Sequence, residues 1–243
     1  MTLLSICIPT YVDEDDFRLI DIKNLLNSIK LQDYKNIEVV ISDHSSNDKV
    51  ESICSKDFKN INIIYLKNEI DRGFWGSNIN NAIKSCSGQL IKLMQQDDIF
   101  SKETVFSKIV REYENKNFEW AICGGIHTVD YKLFYHRIIP TYTNDLHKGN
   151  NRLGGISSVV IKNIPDKLYF DNHLNWMGDC EYYIRAYQKF GIPKIFEDPL
   201  IIYKQSEGQL TNKLSDEIKI REVELVSKKY SNKNSVDNYY EKK

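Results

Sequence analysis

The alternation of short apolar runs with acidic turns over residues 1–100 restricts the fold of this chain more than any single motif does. Leu3 to Pro9 is a compact apolar run that ends at proline, the pattern of a buried strand followed by a loop. Leu19, Ile22, Leu25, Leu26 and Ile29 then recur at helical spacing. Ile37 to Ile41 is a second β-branched run, and it stops at Ser42-Asp43-His44-Ser45-Ser46-Asn47-Asp48, a cluster of turn and cap formers. A third strand is expected over Ile61 to Leu66 and a helix over Trp75 to Ser85. A fourth strand, Gln89 to Met94, runs straight into Gln95-Gln96-Asp97-Asp98. Strands separated by helices of this length imply an α/β fold with a Rossmann-like, mostly parallel sheet flanked by helices. Ligands of such sheets sit beyond the carboxyl ends of the strands, which places Thr10, Tyr11, Asp43, Asp97 and Asp98 on one rim.

The pattern changes after a helix expected around Lys102 to Tyr113. Trp120 to Cys123 and Leu133 to Ile139 read as strands, separated by Gly124-Gly125 and a polar turn. Pro140 to Gly155 is rich in Asn, Gly and Thr and reads as a mobile loop. A strand at Ser157 to Ile161, a helix at Asp179 to Phe190, a strand at Leu200 to Tyr203 and a helix at Asp216 to Tyr230 follow, with 231–243 as a flexible tail. A length of 243 residues with 41% hydrophobic content suits one domain over residues 1–230 with a C-terminal elaboration.

A net charge of −1 argues against nucleic acid as a partner. The five cysteines are scattered singly, with no Cys-x-x-Cys, and read as reduced thiols of a cytoplasmic protein. No leader and no spanning apolar stretch is evident, since a span needs about 20 apolar residues. His127, His136, His147 and His173 have no mutual spacing that suggests a metal site and read as surface or loop residues.

Three acidic positions carry possible chemistry. Adjacent carboxylates repel, so Asp97-Asp98 at a strand end needs a cation or basic groups to neutralise it. A hard divalent ion, Mg²⁺ or Mn²⁺, shared with a diphosphate would serve; a helix cap at Asp98 beside a solvated Asp97 is the plainer alternative. Asp43 can accept from a nucleotide base or ribose, or form an ordinary Asx turn. Asp179 begins an amphipathic helix and is either its N-cap or a general base. Gly73 to Asn80 joins glycines and amides at a helix start, where Arg72 and Asn78 can meet a nucleotide or its diphosphate, or where a glycine turn simply packs Trp75. Trp176 and Tyr142 are possible sugar-stacking surfaces.

The order of these parts resembles the family-2 glycosyltransferases of GT-A fold. Ser5-Ile6-Cys7-Ile8-Pro9-Thr10-Tyr11 looks like the opening strand that frames the nucleotide, and Ile41 to Asp48 is similar to the family's Asp-Asp-Gly-Ser-Thr-Asp turn, whose second Asp maps to Asp43. Gln95-Gln96-Asp97-Asp98 occupies the Asp-x-Asp position, with Gln95 replacing the first acid. Phe170-Asp171-Asn172 with Gly178 to Arg185 resembles the acceptor-side segment, whose catalytic base maps to Asp179.

The resemblance implies an inverting transfer of a sugar from a nucleotide-diphosphate donor, UDP-linked in first expectation, to an acceptor hydroxyl in bacterial surface glycan synthesis. Residues 1–100 would then bind the nucleotide and 101–230 the acceptor, a glycan or lipid-linked glycan. Pro9, Thr10, Tyr11, Asp43, Arg72, Asn78 and Asp97 would line the donor site, Asp97 and Asp98 would hold Mn²⁺ or Mg²⁺, and the 140–155 loop would close as a lid. The setting would be cytoplasmic, with Lys228, Lys229, Lys242 and Lys243 available for peripheral contact with the membrane's inner face. Two rivals stand beside it: a nucleotide-binding scaffold without activity, suggested by Gln95, and a sugar-nucleotide pyrophosphorylase, disfavoured by the glycine-free, acidic segment Pro9 to Glu14.

Overall fold

The computed structural model describes residues 1–13, 17–206 and 209–231; most of the expected tail, 232–243, lies outside them. The chain runs β1 (Leu4–Thr10), α1 (Phe17–Lys30), β2 (Ile37–Asp43), α2 (Lys49–Lys56), β3 (Ile63–Lys67), α3 (Trp75–Ser85), β4 (Leu90–Leu93) and β5 (Ile99–Phe100). It continues α4 (Val105–Lys116), β6 (Trp120–Thr128), β7 (Phe134–Ile138), β8 (Val159–Lys162), α5 (Gly178–Phe190), β9 (Lys194–Lys204), α6 (Leu210–Lys213) and α7 (Asp216–Tyr230).

One mixed, mostly parallel sheet in the order β3-β2-β1-β4-β8-β6-β9-β5 carries the molecule, with β7 added to β6. The block β3-β2-β1-β4 is parallel throughout, as the βαβ reading requires. Its register aligns Thr10 with Asp43 and Asp43 with Lys67, so one rung at the carboxyl edge joins three strand ends.

The twofold alternation of strand side chains sorts the core into two layers. Leu4, Ile6, Ile8, Val39, Ile41 and Leu90 face α1, α2 and α4, while Cys7, Val40, Ile91 and Leu93 face α3, α5 and α7. Burial on both faces explains why these strands read as continuous apolar runs. All five cysteines are buried and free. No helix among the described residues is long and apolar enough to cross a membrane.

Helices α5 and α7 are clasped together by a buried acid. Glu181 is fully buried and accepts from Arg185 Nε at 2.8 Å, Lys229 Nζ at 2.8 Å and Tyr230 Oη at 2.7 Å. Lys229, one of the lysines expected to be available for membrane contact, thus pairs with Glu181 while its side chain stays about half exposed, at 48%. Ser215 caps α7 by accepting from Ile218 N.

The second half corrects four expectations. Gly124 and Gly125 are not a turn but lie inside β6, where they pair with β9 through two register shifts. A side chain at Gly124 would stand 2.7 Å from the Asp198 carbonyl, and one at Gly125 would overlap the Tyr203 ring. Bare backbone is needed because two strands approach closely there, not because the chain reverses.

The 140–155 segment is not a free loop. Leu146 and Leu153 are buried in the α5–α7 layer, a 3-10 turn spans Leu146–Lys148, and Ser227 of α7 donates to the His147 carbonyl at 2.8 Å. His147 is accordingly buried, not a surface residue. Finally, Ser157 lies in a 3-10 turn, Ile156–Ser158, that precedes β8.

Candidate active site

The nucleotide end is built on the aligned rung. Asp43 is fully buried, a costly place for a carboxylate unless donors surround it. Its Oδ1 accepts from Thr10 Oγ1 at 3.1 Å and from the backbone and hydroxyl of Ser45, the former at 2.9 Å. Its Oδ2 accepts from Tyr65 Oη at 2.8 Å and lies 3.9 Å from Lys67 Nζ. A carboxylate has about four lone-pair sites, so Oδ2 is the atom with acceptor capacity to spare. Burial and then the Asp43 charge push the Tyr65 phenol up, which keeps it a donor. Neither Tyr65 nor Lys67 was marked by the sequence reading; their alignment with β2 is a property of strand register alone.

Asn78 is placed differently from expectation. It is 3% exposed, donates to the Thr10 carbonyl at 2.9 Å and accepts from Ser42 Oγ at 2.7 Å. Its amide is spent on bracketing β1 to β2, so it shapes the rim from inside. Arg72 is exposed, with Nη2 at 3.4 Å from Glu69 and 3.5 Å from the Ser45 carbonyl, next to the Asp43 turn. Pro9 is half-buried and pairs with Ser42 in the β1–β2 ladder. Tyr11 is exposed and is fixed through its backbone, which exchanges two hydrogen bonds with the Gln96 amide at 2.8 and 3.1 Å.

That exchange ties the loop after β1 to the acid pair after β4. Asp97 is half-buried, and Tyr131 from the β6–β7 turn donates to its carbonyl at 3.2 Å. Asp98 is 2% exposed; its Oδ1 accepts from Lys204 N at 3.2 Å, and its Oδ2 has no hydrogen-bond partner among the described residues. Burial raises both carboxyls, Asp98 further through the charge of Asp97 and Asp97 further through that of Asp21. Lys204, whose ammonium is paired with buried Asp21, acts against this at Asp97.

Beneath the pair, Lys92 is completely buried and donates to the carbonyls of Leu93 at 3.0 Å, Ser157 and Val159. Burial lowers its pKa to about 8, with the Cys123 thiol and the Asp98 charge opposing.

Among the described residues no group of three or more His, Cys, Asp or Glu could cage a metal ion. The acid pair nevertheless fits a divalent ion shared with a diphosphate. Mg²⁺ and Mn²⁺ take oxygen ligands and keep phosphate and water in their shell, and the unpartnered Asp98 Oδ2 is an oxygen of that kind.

Asp179, the second residue of α5, is half-buried. Its Oδ1 accepts from Cys180 N at 2.7 Å and its Oδ2 from Asn151 Nδ2 at 2.9 Å. Burial raises its pKa to about 6, while the bonds from Cys180 and Asn151 hold it down. Asn151 also donates to the Gly154 carbonyl at 2.9 Å, and Tyr183 Oη donates to the carbonyls of Gly154 and Gly155 at 3.0 Å. On the other flank of the same segment, Gln95 N donates to Ser157 Oγ at 2.8 Å. Gln95, two residues before Asp97, and Asn151, the partner of Asp179, thus both hold the segment 154–158, and the charges of Asp98 and Asp179 both act on buried Tyr203.

Of the two aromatic candidates, Tyr142 is stacked on Tyr187 of α5 at 4.3 Å and belongs to the packing. Trp176 remains half-buried beside Asp179, with Lys219 Nζ 5.2 Å from its ring. Gly178 lets α5 approach Trp75, whose ring a side chain there would overlap.

The UDP-Glc:alpha-D-GlcNAc-diphosphoundecaprenol beta-1,3-glucosyltransferase WfaP of Escherichia coli is 34% identical over 109 residues, 45% of this chain and 41% of its own length. Across the curated relatives it matches, the chain covers from 18% to 41% of their length. The Staphylococcus aureus TarS 1-349 structure in complex with UDP-GlcNAc superposes with a TM-score of 0.73 at 18% identity, covering 93% of this chain and 66% of that one. The mannosyltransferase PcManGT from Pyrobaculum calidifontis, in complex with GDP-Man and Mn2+, gives 0.61 at 14% identity over 86% of this chain and 58% of its own. These two share the GT-A fold with this chain. Residues 5–184, most of the sequence, match the model described as Glycosyl transferase family 2, and the chain belongs to that family.

Proposed function

We propose that this chain is an inverting glycosyltransferase that moves a sugar from a UDP-linked donor to a hydroxyl of a glycan or lipid-linked glycan in bacterial surface-polymer assembly. The observation that carries this reading is an indirect link between the acids: Gln95, two residues before Asp97, holds Ser157, Asp179 is tied through Asn151 to Gly154 of the same segment, and the charges of Asp98 and Asp179 both act on Tyr203. A donor diphosphate at the acid pair and an acceptor alcohol at Asp179 would therefore share one cleft. What favours UDP is the fold shared with TarS, solved with UDP-GlcNAc; what favours the acceptor class is the likeness to WfaP, named for a diphosphoundecaprenol-linked substrate.

In this reading the nucleotide lies against Pro9, Thr10 and Tyr11, with Asp43 Oδ2 accepting from its base and Arg72 beside it. Asn78 sets the distance between β1 and β2 that admits it. Asp97 and Asp98 Oδ2 would hold Mn²⁺ or Mg²⁺, which supplies charge neutralisation for the departing diphosphate. Asp179 takes the proton of the attacking hydroxyl as it bonds to the anomeric carbon from the face opposite the leaving group. With a pKa of about 6 it is mostly ionised at neutral pH yet basic enough to accept a proton. Residues 1–100 form the donor half and 101–230 the acceptor half. The packed 140–155 segment positions Asp179 through Asn151 instead of closing as a lid. A nucleotide-sugar donor places the reaction on the cytoplasmic side.

The test is thermal shift of the purified protein against a panel of nucleotide sugars with and without Mn²⁺, followed by turnover of the stabilising donor. Stabilisation by a UDP-sugar with transfer or slow hydrolysis is expected. Binding without any turnover would favour the scaffold reading, for which Gln95 in place of an acid is the supporting feature.

A further inference from the structure

Behind the acceptor-side turn lies a buried acid that the proposed chemistry does not use. Glu222 projects from the middle of α7 and is fully buried. Its carboxylate accepts from Asn175 N at 2.9 and 3.0 Å, Trp176 N at 2.7 Å and Met177 N at 3.0 Å. Three successive amides converge on it just before α5 begins, and the N-cap residue Met177 supplies no side-chain bond of its own. Met177 N is one of the donors that a helix start leaves over, and the two amides before it extend the same run of N–H groups, natural partners of a buried carboxylate. The acid comes from another helix, and two residues beyond the last amide stands Asp179.

We propose that Glu222 is a positioning residue for the acceptor side: by fixing the backbone of 175–177 it sets where Asp179 and Trp176 point. This rests on the reading of Asp179 as the base. It makes α7 part of the working site, although the family match ends at residue 184. Helix α7 is held to α5 independently by Glu181 with Lys229 and Tyr230, so removing the Glu222 charge leaves the helix docked and the turn alone released.

The full chain carrying Glu222→Gln tests this by two measurements that need no substrate. The first is amide hydrogen exchange over 175–182. The second is an NMR titration of ¹³C-labelled aspartate, in which Asp179 is assigned by its absence from Asp179→Asn. In Glu222→Gln, exchange at 175–177 should speed up by about tenfold or more while β1 to β4 stay protected. The Asp179 midpoint should fall from about 6 toward the ordinary carboxylate range as water reaches it. Unchanged exchange and an unchanged midpoint overturn the proposal, and so does a uniform acceleration over the whole chain, which marks general destabilisation. Glu222→Asp keeps the charge but draws it back by one methylene; it should act in the same direction more weakly, and it serves if the Gln variant does not fold. Normal turnover by Asp179→Asn would remove the base assignment, whereas the hold of Glu222 on the turn is read from exchange alone.

Discussion

The side-chain amide of Asn151 donates to Oδ2 of Asp179 at 2.9 Å, across 28 residues of sequence. The bond favours the ionised carboxyl, against the burial that raises it. Asn151→Ala should therefore raise the Asp179 pKa. The acid limb of kcat/KM, expected near 6 in the parent, should move up by roughly 0.5–1 in pH. A pH–rate profile of both proteins checks this; a limb that stays in place would separate Asn151 from the titrating group.

Asp179→Asn should lose roughly 10²- to 10⁴-fold in turnover while keeping donor affinity. It should also change stability with a definite sign. The folded pKa is raised from 3.8 to about 6, so the folded chain holds this proton more tightly than the unfolded one. The penalty is fully present above the folded value and vanishes below the unfolded one. Thermal melts should show the Asn variant gaining on the parent above about pH 6, and no such gain below about pH 4.

Lys92 gives the opposite titration. Its pKa is lowered from 10.5 to about 8, so the unfolded chain binds more protons between those values and this group's contribution to stability grows with pH across that window. Lys92→Met should abolish that increment and leave the carbonyls of Leu93 and Ser157 without their donor. The difference between the two proteins' melting temperatures, followed from about pH 7 to about pH 10, isolates the effect.

Gly125→Ala should destabilise the chain by about 1–3 kcal/mol, because the new methyl meets Tyr203 and stands 3.0 Å from the Ile201 carbonyl. In a Tyr203→Ala background the same change should cost much less. Urea unfolding of the four proteins gives the coupling, and additivity would show that the ring is not what excludes the methyl.

For the acid pair, chelation should abolish the thermal shift given by a UDP-sugar, and Mn²⁺ should restore it in the parent but not in Asp97→Asn. Gln95→Asp returns an acid to the strand end and should lower the Mn²⁺ concentration needed for half-maximal effect. Donor binding that ignores both the chelator and Asp97→Asn would show Lys204 and Lys92 neutralising the site without a metal.

Much of the frame was legible because it is written locally. Helices α3 and α7 fall on the residues that periodicity marks, and strand-end acids follow from strand order. What stayed hidden depends on partners distant in sequence. Glu222 reads as one more charge on an exposed helix until the amides of 175–177, some 45 residues earlier, are brought to it. Asp21 looks like a solvated helix acid until Lys204, 183 residues on, pairs with it. Gly124-Gly125 carries the composition of a turn, and only the presence of β9 and Tyr203 shows that closeness of strands was the reason for it. Composition likewise suggested looseness for 140–155, where two leucines anchor the segment.

Strand β6 exchanges one neighbour for another partway along its length: Trp120 to Ile122 pair with β8, Gly125 to Thr128 pair with β7, and β9 runs along the opposite edge of both portions. At that change of partner the 3-10 turn Ile156–Ser158, which leads into β8, lies against β6. Tyr203 pairs with His127 of the β6–β7 hairpin and feels the charges of both Asp98 and Asp179, so a tilt of that hairpin would reach both acids through a single ring.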